Sequence, residues 1–165
     1  MTTIRLNDLE MHLCGEVIKE GVQFPACELV SNELRDVCPC EYRGKRVVMN
    51  VFPSLDTEIC ARSVRKFNEE VSKMPNTVVL CISKDLPFAS ARFCATNGIE
   101  NVVSLSGFRS DFGQKTGLEI ADGPMKGLYA RCLIILDENG KVLKVALNEQ
   151  ITEEPDYKVA TEVLV

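Results

Sequence analysis

The chain of 165 residues is 45% hydrophobic and 26% charged, with a formal net charge of −5, a balance that suits one compact soluble domain over residues 1–165 and argues against a multi-domain machine. With 24 Asp plus Glu against 19 Lys plus Arg, there is no general attraction to phosphate backbones or anionic lipid, so nucleic acid and membrane are not expected as partners. Eight cysteines are many, yet they fall below the roughly 8–10% that marks a disulfide-built secreted scaffold. The first residues lack a charged-then-apolar targeting pattern, and apolar runs such as Cys132 to Leu136 are far too short to span a membrane. A cytoplasmic protein is the expectation. In a reducing compartment, paired cysteines point to catalysis, redox sensing or metal binding before structural bridging.

Residues 1–44 read as an N-terminal extension of β-hairpins. The main alternation starts at Lys45 to Phe52, whose β-branched, apolar centre predicts a buried strand ended by Pro53. From Ala61 the period becomes helical, with Cys60, Val64, Phe67, Val71 and Met74 on one stripe and charged residues between them, up to Pro75. Thr77 to Ser83 predicts a second buried strand, Pro87 to Ala95 a helix and Val102 to Leu105 a short third strand. Leu128 to Leu136 and Lys141 to Leu147 flank Asp137-Glu138-Asn139-Gly140, where Asn-Gly predicts a tight hairpin turn with positive φ at both residues. A last helix runs from about Pro155 to Leu164. Parallel βαβ units, an antiparallel hairpin and a closing helix together predict an α/β architecture of thioredoxin-like type, a central mixed sheet flanked by helices.

Cys60 stands apart from the other thiols because it falls in the first turn of a helix that begins just after a buried strand ends, with Asp56 and Thr57 as candidate N-caps. Unpaired backbone N–H groups and the positive end of the macrodipole favour a thiolate there, the form that attacks electrophiles. The Thr57 hydroxyl, three residues earlier, can reach both the sulfur and an incoming oxygen. Periodicity alone leaves the alternative open that Cys60 simply starts an apolar stripe.

The neighbourhood is more specific. Pro53, Thr57 and Cys60 form P-x-x-x-T-x-x-C, which resembles the active-site signature of the peroxiredoxins. Asn50-Val51-Phe52-Pro53-Ser54, Ser63-Val64-Arg65-Lys66-Phe67-Asn68, Asp85-Leu86-Pro87-Phe88-Ala89, Arg92-Phe93-Cys94 and Glu154-Pro155-Asp156-Tyr157 resemble segments of the bacterial thiol peroxidase subfamily, from about Gly44 to the C-terminus. The resemblance implies a cofactor-free, metal-free peroxidase of hydrogen peroxide and alkyl hydroperoxides. Cys60 would be the peroxidatic nucleophile, Pro53 and Thr57 its supports, Arg131 a guanidinium brought from a later strand, and Cys94 the resolving cysteine. It also implies an intramolecular Cys60–Cys94 disulfide after local unwinding, recycling by thioredoxin, and a homodimer. Physically, Arg131 in an otherwise apolar segment needs an anion or several acceptors if buried, which a thiolate and a peroxide oxygen would supply. A relay protein that passes its oxidation to a protein partner would use the same sulfenic acid.

Cys81 and Cys132 lie in apolar strands and read as packing. Cys14, Cys27, Cys38 and Cys40 lie in the extension, and Cys38-Pro39-Cys40 has the wrong spacing for paired zinc knuckles, leaving accessory oxidation as an option. His12, the only histidine, reads as a surface or packing residue rather than half of a Cys-His pair. Without Trp, a glutathione peroxidase site is disfavoured. Gly117, Gly123 and Gly127 read as a flexible connection before Arg131, not a phosphate loop. Phe88 and Leu118 are candidates for an apolar substrate approach.

Overall fold

A computed structural model describes residues 2–164, with side chains through Val163. A small antiparallel hairpin, β1 (Thr3–Leu6) and β2 (Leu9–His12), stands apart from a seven-stranded sheet. That sheet contains β3 (Leu29–Ser31), β4 (Asp36–Val37), β5 (Arg46–Val51), β6 (Thr77–Ser83), β7 (Val103–Ser106), β8 (Cys132–Leu136) and β9 (Val142–Leu147), in the order β4-β3-β7-β6-β5-β8-β9. Strands β5, β6 and β7 are mutually parallel, whereas β3 joins β7, β8 joins β5 and β9 joins β8 antiparallel. The helices are α1 (Glu58–Glu69), α2 (Pro87–Asn97), α3 (Phe112–Thr116) and α4 (Tyr157–Leu164). This is the expected thioredoxin-like arrangement. Within the expected N-terminal hairpin extension, β1–β2 forms its own sheet, whereas β3–β4 extends the main one.

Alternation along the strands divides the core. Val47, Met49 and Val51 of β5 face one side with Leu80, Ile82, Cys132 and Ile134, covered by Phe24, Phe112, Leu118 and Tyr129. Val48 of β5 faces the other with Val79, Cys81, Leu133 and Ile135, covered by Cys60, Val64 and Phe67 of α1 and by residues of α2 and α4. A period of two on each strand therefore puts Cys60 and Leu118 on opposite sides of the sheet.

Several boundaries differ from expectation for local reasons. The amphipathic stripe is one α-helix only to Glu69; Val71–Lys73 then tightens into a 3₁₀ turn before Pro75. At the β8–β9 turn only Gly140 has positive φ, 81°. Gly140 N–H donates to the Asp137 carbonyl, and the Asp137 carboxylate accepts the N–H groups of Asn139 and Lys141. This is a type I turn closed by a left-handed glycine rather than the tighter Asn-Gly turn. Strand β8 starts at Cys132, not Leu128, because its partner β5 ends with Val51 opposite Cys132, just before Pro53. Residues Leu128 and Ala130 pair instead with Ile120 and Leu118. The segment before Arg131 is thus not a flexible connector. Gly117, Gly123 and Gly127 take φ of 74°, 77° and 93°, and the folded-back chain is tied to the end of β2 by Ala121 N–H to His12 O and to the residues just after it by Cys14 N–H to Glu119 O.

Candidate active site

The loop between β5 and α1 is held from β6. Asp85 accepts hydrogen bonds from Ser54 Oγ at 2.7 Å, Leu55 N–H at 2.7 Å and Ser83 Oγ at 2.8 Å. The Ser54 carbonyl in turn accepts from the Thr57 backbone N–H and from Thr57 Oγ1, the latter at 2.9 Å. Thr57 is the N-cap of α1 by backbone conformation, φ −99° and ψ 141°, although its side chain makes no capping bond. The hydrogen bond of its hydroxyl goes to Ser54 O and not to Cys60 Sγ. With its proton committed to Ser54, Oγ1 presents lone pairs outward, so it is an acceptor.

Cys60 is the third residue of α1 and is 0% exposed. The first helical bond runs from Ala61 N–H to Thr57 O, so the N–H groups of Glu58, Ile59 and Cys60 have no intrahelical acceptor. A buried polar chain props the turn from the sheet: Asn50 Nδ2 donates to Ser63 Oγ at 3.1 Å, and Ser63 Oγ donates to the Cys60 carbonyl at 2.8 Å.

Arg131 lies one residue before β8, beside the end of the β5 ladder, and is 2% exposed. Nη2 donates to Cys60 Sγ at 3.2 Å and Nε to the Ile151 carbonyl at 3.0 Å. Its remaining nitrogen, Nη1, is buried without a partner. Burying a guanidinium with an unused donor is costly unless an acceptor arrives. Pro53, Thr57 and Arg131 line a cavity of about 110 Å³ together with Leu6, Ile59, Met125, Ile151 and Thr152. The apolar mouth therefore comes from β1, the folded-back segment and the stretch after β9. Leu118 is excluded from it by the sheet, and Phe88, exposed on α2, is not part of its wall.

Cys94, on α2, is half-buried, packs against the same core side as Cys60, and lies 3.5 Å from Ser104 Oγ. Both are free thiols in this structure. Burial pushes the thiols of Cys81 and Cys132 up to about 12, and that of Cys27 up to about 11, which fits inert packing groups. His12 is partly exposed, and its Nδ1 lies 2.7 Å from the Asp122 carboxylate, where it ties β2 to the folded-back segment. Cys38 and Cys40 are joined to each other as a disulfide.

Asn50, Ser63 and Asp85 lie inside the segments that carry the family resemblance, but no role was legible for them in sequence. An asparagine in the apolar run of β5 was the available sign. The mouth residues Leu6, Met125 and Ile151 had none, because their convergence depends on how the hairpin docks.

Comparison with known proteins gives the same picture. The Redoxin family profile matches residues 19–163. A thiol peroxidase of Corynebacterium glutamicum is 49% identical over 150 residues, covering 91% of each chain. The crystal structure of a peroxiredoxin-like protein from Aquifex aeolicus superposes with a TM-score of 0.93 at 37% identity, over 99% of this chain and 97% of the other. A thiol peroxidase from Chromobacterium violaceum shares the fold, with a TM-score of 0.87 at 20% identity over 98% and 94% of the two chains. The chain belongs to the Redoxin family, and its activity is the peroxide reduction of a thiol peroxidase.

Proposed function

We propose that Cys60 is the peroxidatic nucleophile of this peroxidase and that Arg131, Thr57, Pro53 and the first-turn N–H groups form its catalytic surround. The observation that carries the reading is the buried Arg131 fork, with one nitrogen on Cys60 Sγ and another without an acceptor. The positive guanidinium stabilises the thiolate. Nη1 and the free N–H groups would receive the oxygens of a bound hydroperoxide, while Thr57 Oγ1 accepts the hydroperoxide proton in a hydrogen bond. Attack of the thiolate on the terminal oxygen breaks the O–O bond, leaves Cys60 as a sulfenic acid and releases water or an alcohol after protonation. Pro53, buried beside the loop, excludes water from the sulfur without adding a competing N–H. Apolar walls at Leu6, Ile59, Met125 and Ile151 suit alkyl hydroperoxides as well as hydrogen peroxide.

Cys94 then attacks the sulfenic sulfur, forming the Cys60–Cys94 disulfide and releasing water. Cys60 is buried in the first turn of α1 and Cys94 is held in the separate helix α2, which supports local unwinding of that turn and of part of α2 as the route by which the two sulfurs meet. A protein dithiol of the thioredoxin type returns the pair to thiols by exchange. Leu86 and Phe88 are exposed just beyond β6, and Phe108 just beyond the parallel neighbour β7; this apolar rim is our candidate face for a second copy. Among the described residues no helix is long and apolar enough to cross a membrane. A cytoplasmic location fits a cycle that needs a dithiol reductant.

The test is peptide mass mapping after one equivalent of hydroperoxide, combined with steady-state NADPH consumption in the presence of thioredoxin and its reductase. A Cys60–Cys94 cross-link and sustained turnover are expected. An unmodified Cys60 would overturn the site assignment, and transfer of oxidation to a bound protein without turnover would replace the peroxidase cycle by a relay.

A further inference from the structure

Outside the peroxide site, the chain carries a second pair of sulfurs that the reaction above does not use. Cys38 and Cys40 form a disulfide between residues two positions apart, with Cα atoms 5.1 Å apart. A bridge stabilises a fold by removing chain entropy from the unfolded state, and that effect grows with the length of loop closed. Here the loop is nearly the shortest possible, and Pro39 within it has already fixed one backbone angle. The bridge therefore holds no distant parts of the fold together. Its use must be sought in chemistry.

The two sulfurs are not equivalent. Cys40 is exposed, whereas Cys38 is half-buried. The Cys40 N–H donates to Cys38 Sγ at 3.2 Å, and the Cys38 N–H is taken by the Glu41 carboxylate at 2.8 Å. Electron density arriving on Cys38 meets a donor already in place. Cys38 and Cys40 both line a cavity of about 680 Å³ whose wall includes Cys27, Glu28, Arg109, Asp111 and Lys115. Cys27 packs on the side of the sheet opposite Cys60 and Cys94. The cavity is open and of mixed charge, with room for a peptide-sized thiol.

We propose that the Cys38–Cys40 disulfide is a second redox centre of this chain, opened by an external thiol reductant that attacks Cys40 Sγ from this cavity. The reductant thiolate forms a bond to Cys40 Sγ, the Cys38–Cys40 bond breaks, and its electron pair goes to Cys38 Sγ, where the Cys40 N–H receives it. A second thiol of the reductant then displaces Cys40. Cys38 and Cys40 each take up one proton, and the reductant leaves as a disulfide. The neighbouring Cys27 does not compete as the attacking group, since burial pushes its thiol up to about 11. The sheet between the two centres keeps this exchange independent of the Cys60–Cys94 step.

Differential alkylation of the full-length, air-oxidised protein under native conditions tests the proposal, with peptides read by mass before and after glutathione in one arm and thioredoxin with its reductase in the other. Cys38 and Cys40 should be protected at first, and their labelling should rise at least tenfold with either reductant; the arm that works identifies a small thiol or a protein dithiol as the source. Pair labelling already complete before reduction, or protection that neither reductant removes, would overturn it. A doubly substituted C38S/C40S protein should keep its peroxide turnover. In the C60S/C94S protein the Cys38–Cys40 labelling should respond as in the parent, so failure of this inference is distinguishable from failure of the peroxide-site assignment. Loss of the response in that second protein, with its fold intact, would show that the two centres are not independent and overturn the proposal as stated.

Discussion

Arg131 Nη2 donates to Cys60 Sγ across 3.2 Å although 71 positions separate the two residues in the chain. The contact exists because Arg131 sits one residue before the point where β8 pairs with the end of β5, and α1 starts from the loop after that same end. Its partner nitrogen Nη1 is buried without an acceptor. Replacing Arg131 by Met should lower kcat/KM for hydroperoxide on the order of 10² to 10³-fold, the usual consequence of removing a preorganised donor to developing charge. Arg131→Lys keeps the charge but not the fork, and should recover only part of the loss. Steady-state rates of both variants, with urea unfolding as a control for the lost Ile151 contact, decide the matter; parent-like turnover in the Met variant would remove Arg131 from the site.

The Thr57 hydroxyl donates to Ser54 O and Thr57 lines the cavity, so toward a bound hydroperoxide its oxygen can serve only as an acceptor. Thr57→Ser keeps that arrangement and should stay within a few-fold of the parent. Thr57→Val keeps the shape but loses both the acceptor and the bond to Ser54 O, and its kcat/KM should fall by about 10²-fold or more, within the range seen for positioned proton acceptors. Equal rates for the two variants would remove the Thr57 hydroxyl from the mechanism.

Asp85 acts through the loop rather than on the peroxide. Its carboxylate gathers Ser54, Leu55 and Ser83, and Ser54 holds Thr57. Asp85→Asn retains one carbonyl acceptor and turns the other position into a donor, so at least one charged hydrogen bond is lost, at about 1.5–3 kcal/mol. Urea denaturation should show that loss, and kcat should fall while Asp85→Glu restores part of both. A stability loss with unchanged kcat would restrict Asp85 to a structural role.

The strands at the centre of the sheet were legible because they are buried on both faces: Thr77–Ser83 is the strand that the apolar run predicts, residue for residue. Cys60 was legible because a strand end, a proline and a helix start fall within nine residues. The N-terminal limit of β8 was not, since Leu128 and Ala130 are as apolar as the strand proper and the ladder ends only because β5 stops at Val51, shortly before Pro53. The same holds for the cavity mouth. Leu118 looks as suitable as Leu6 in one dimension, and only the two-residue alternation of the sheet, together with the docking of β1, puts one at the site and the other behind it.

Buried thiols set the response to alkali. Burial raises Cys81 and Cys132 from 9.0 to about 12 in the folded chain, so the folded state keeps these protons while the unfolded chain releases them near 9. Stability from this source is complete below pH 9 and is lost progressively as pH rises toward 12, because there the unfolded state binds fewer protons. Tyr129 and Tyr157 are also raised by burial and act with the same sign. Urea midpoints should therefore hold level up to about pH 9 and decline above it. Cys132→Val, which removes one of these groups without opening a large cavity, should decline less steeply than the parent while matching it near neutrality to within about 1.5 kcal/mol. A variant whose midpoint falls as steeply as the parent's between pH 9 and 11 would show that Cys132 ionises in the folded chain as readily as in the unfolded one.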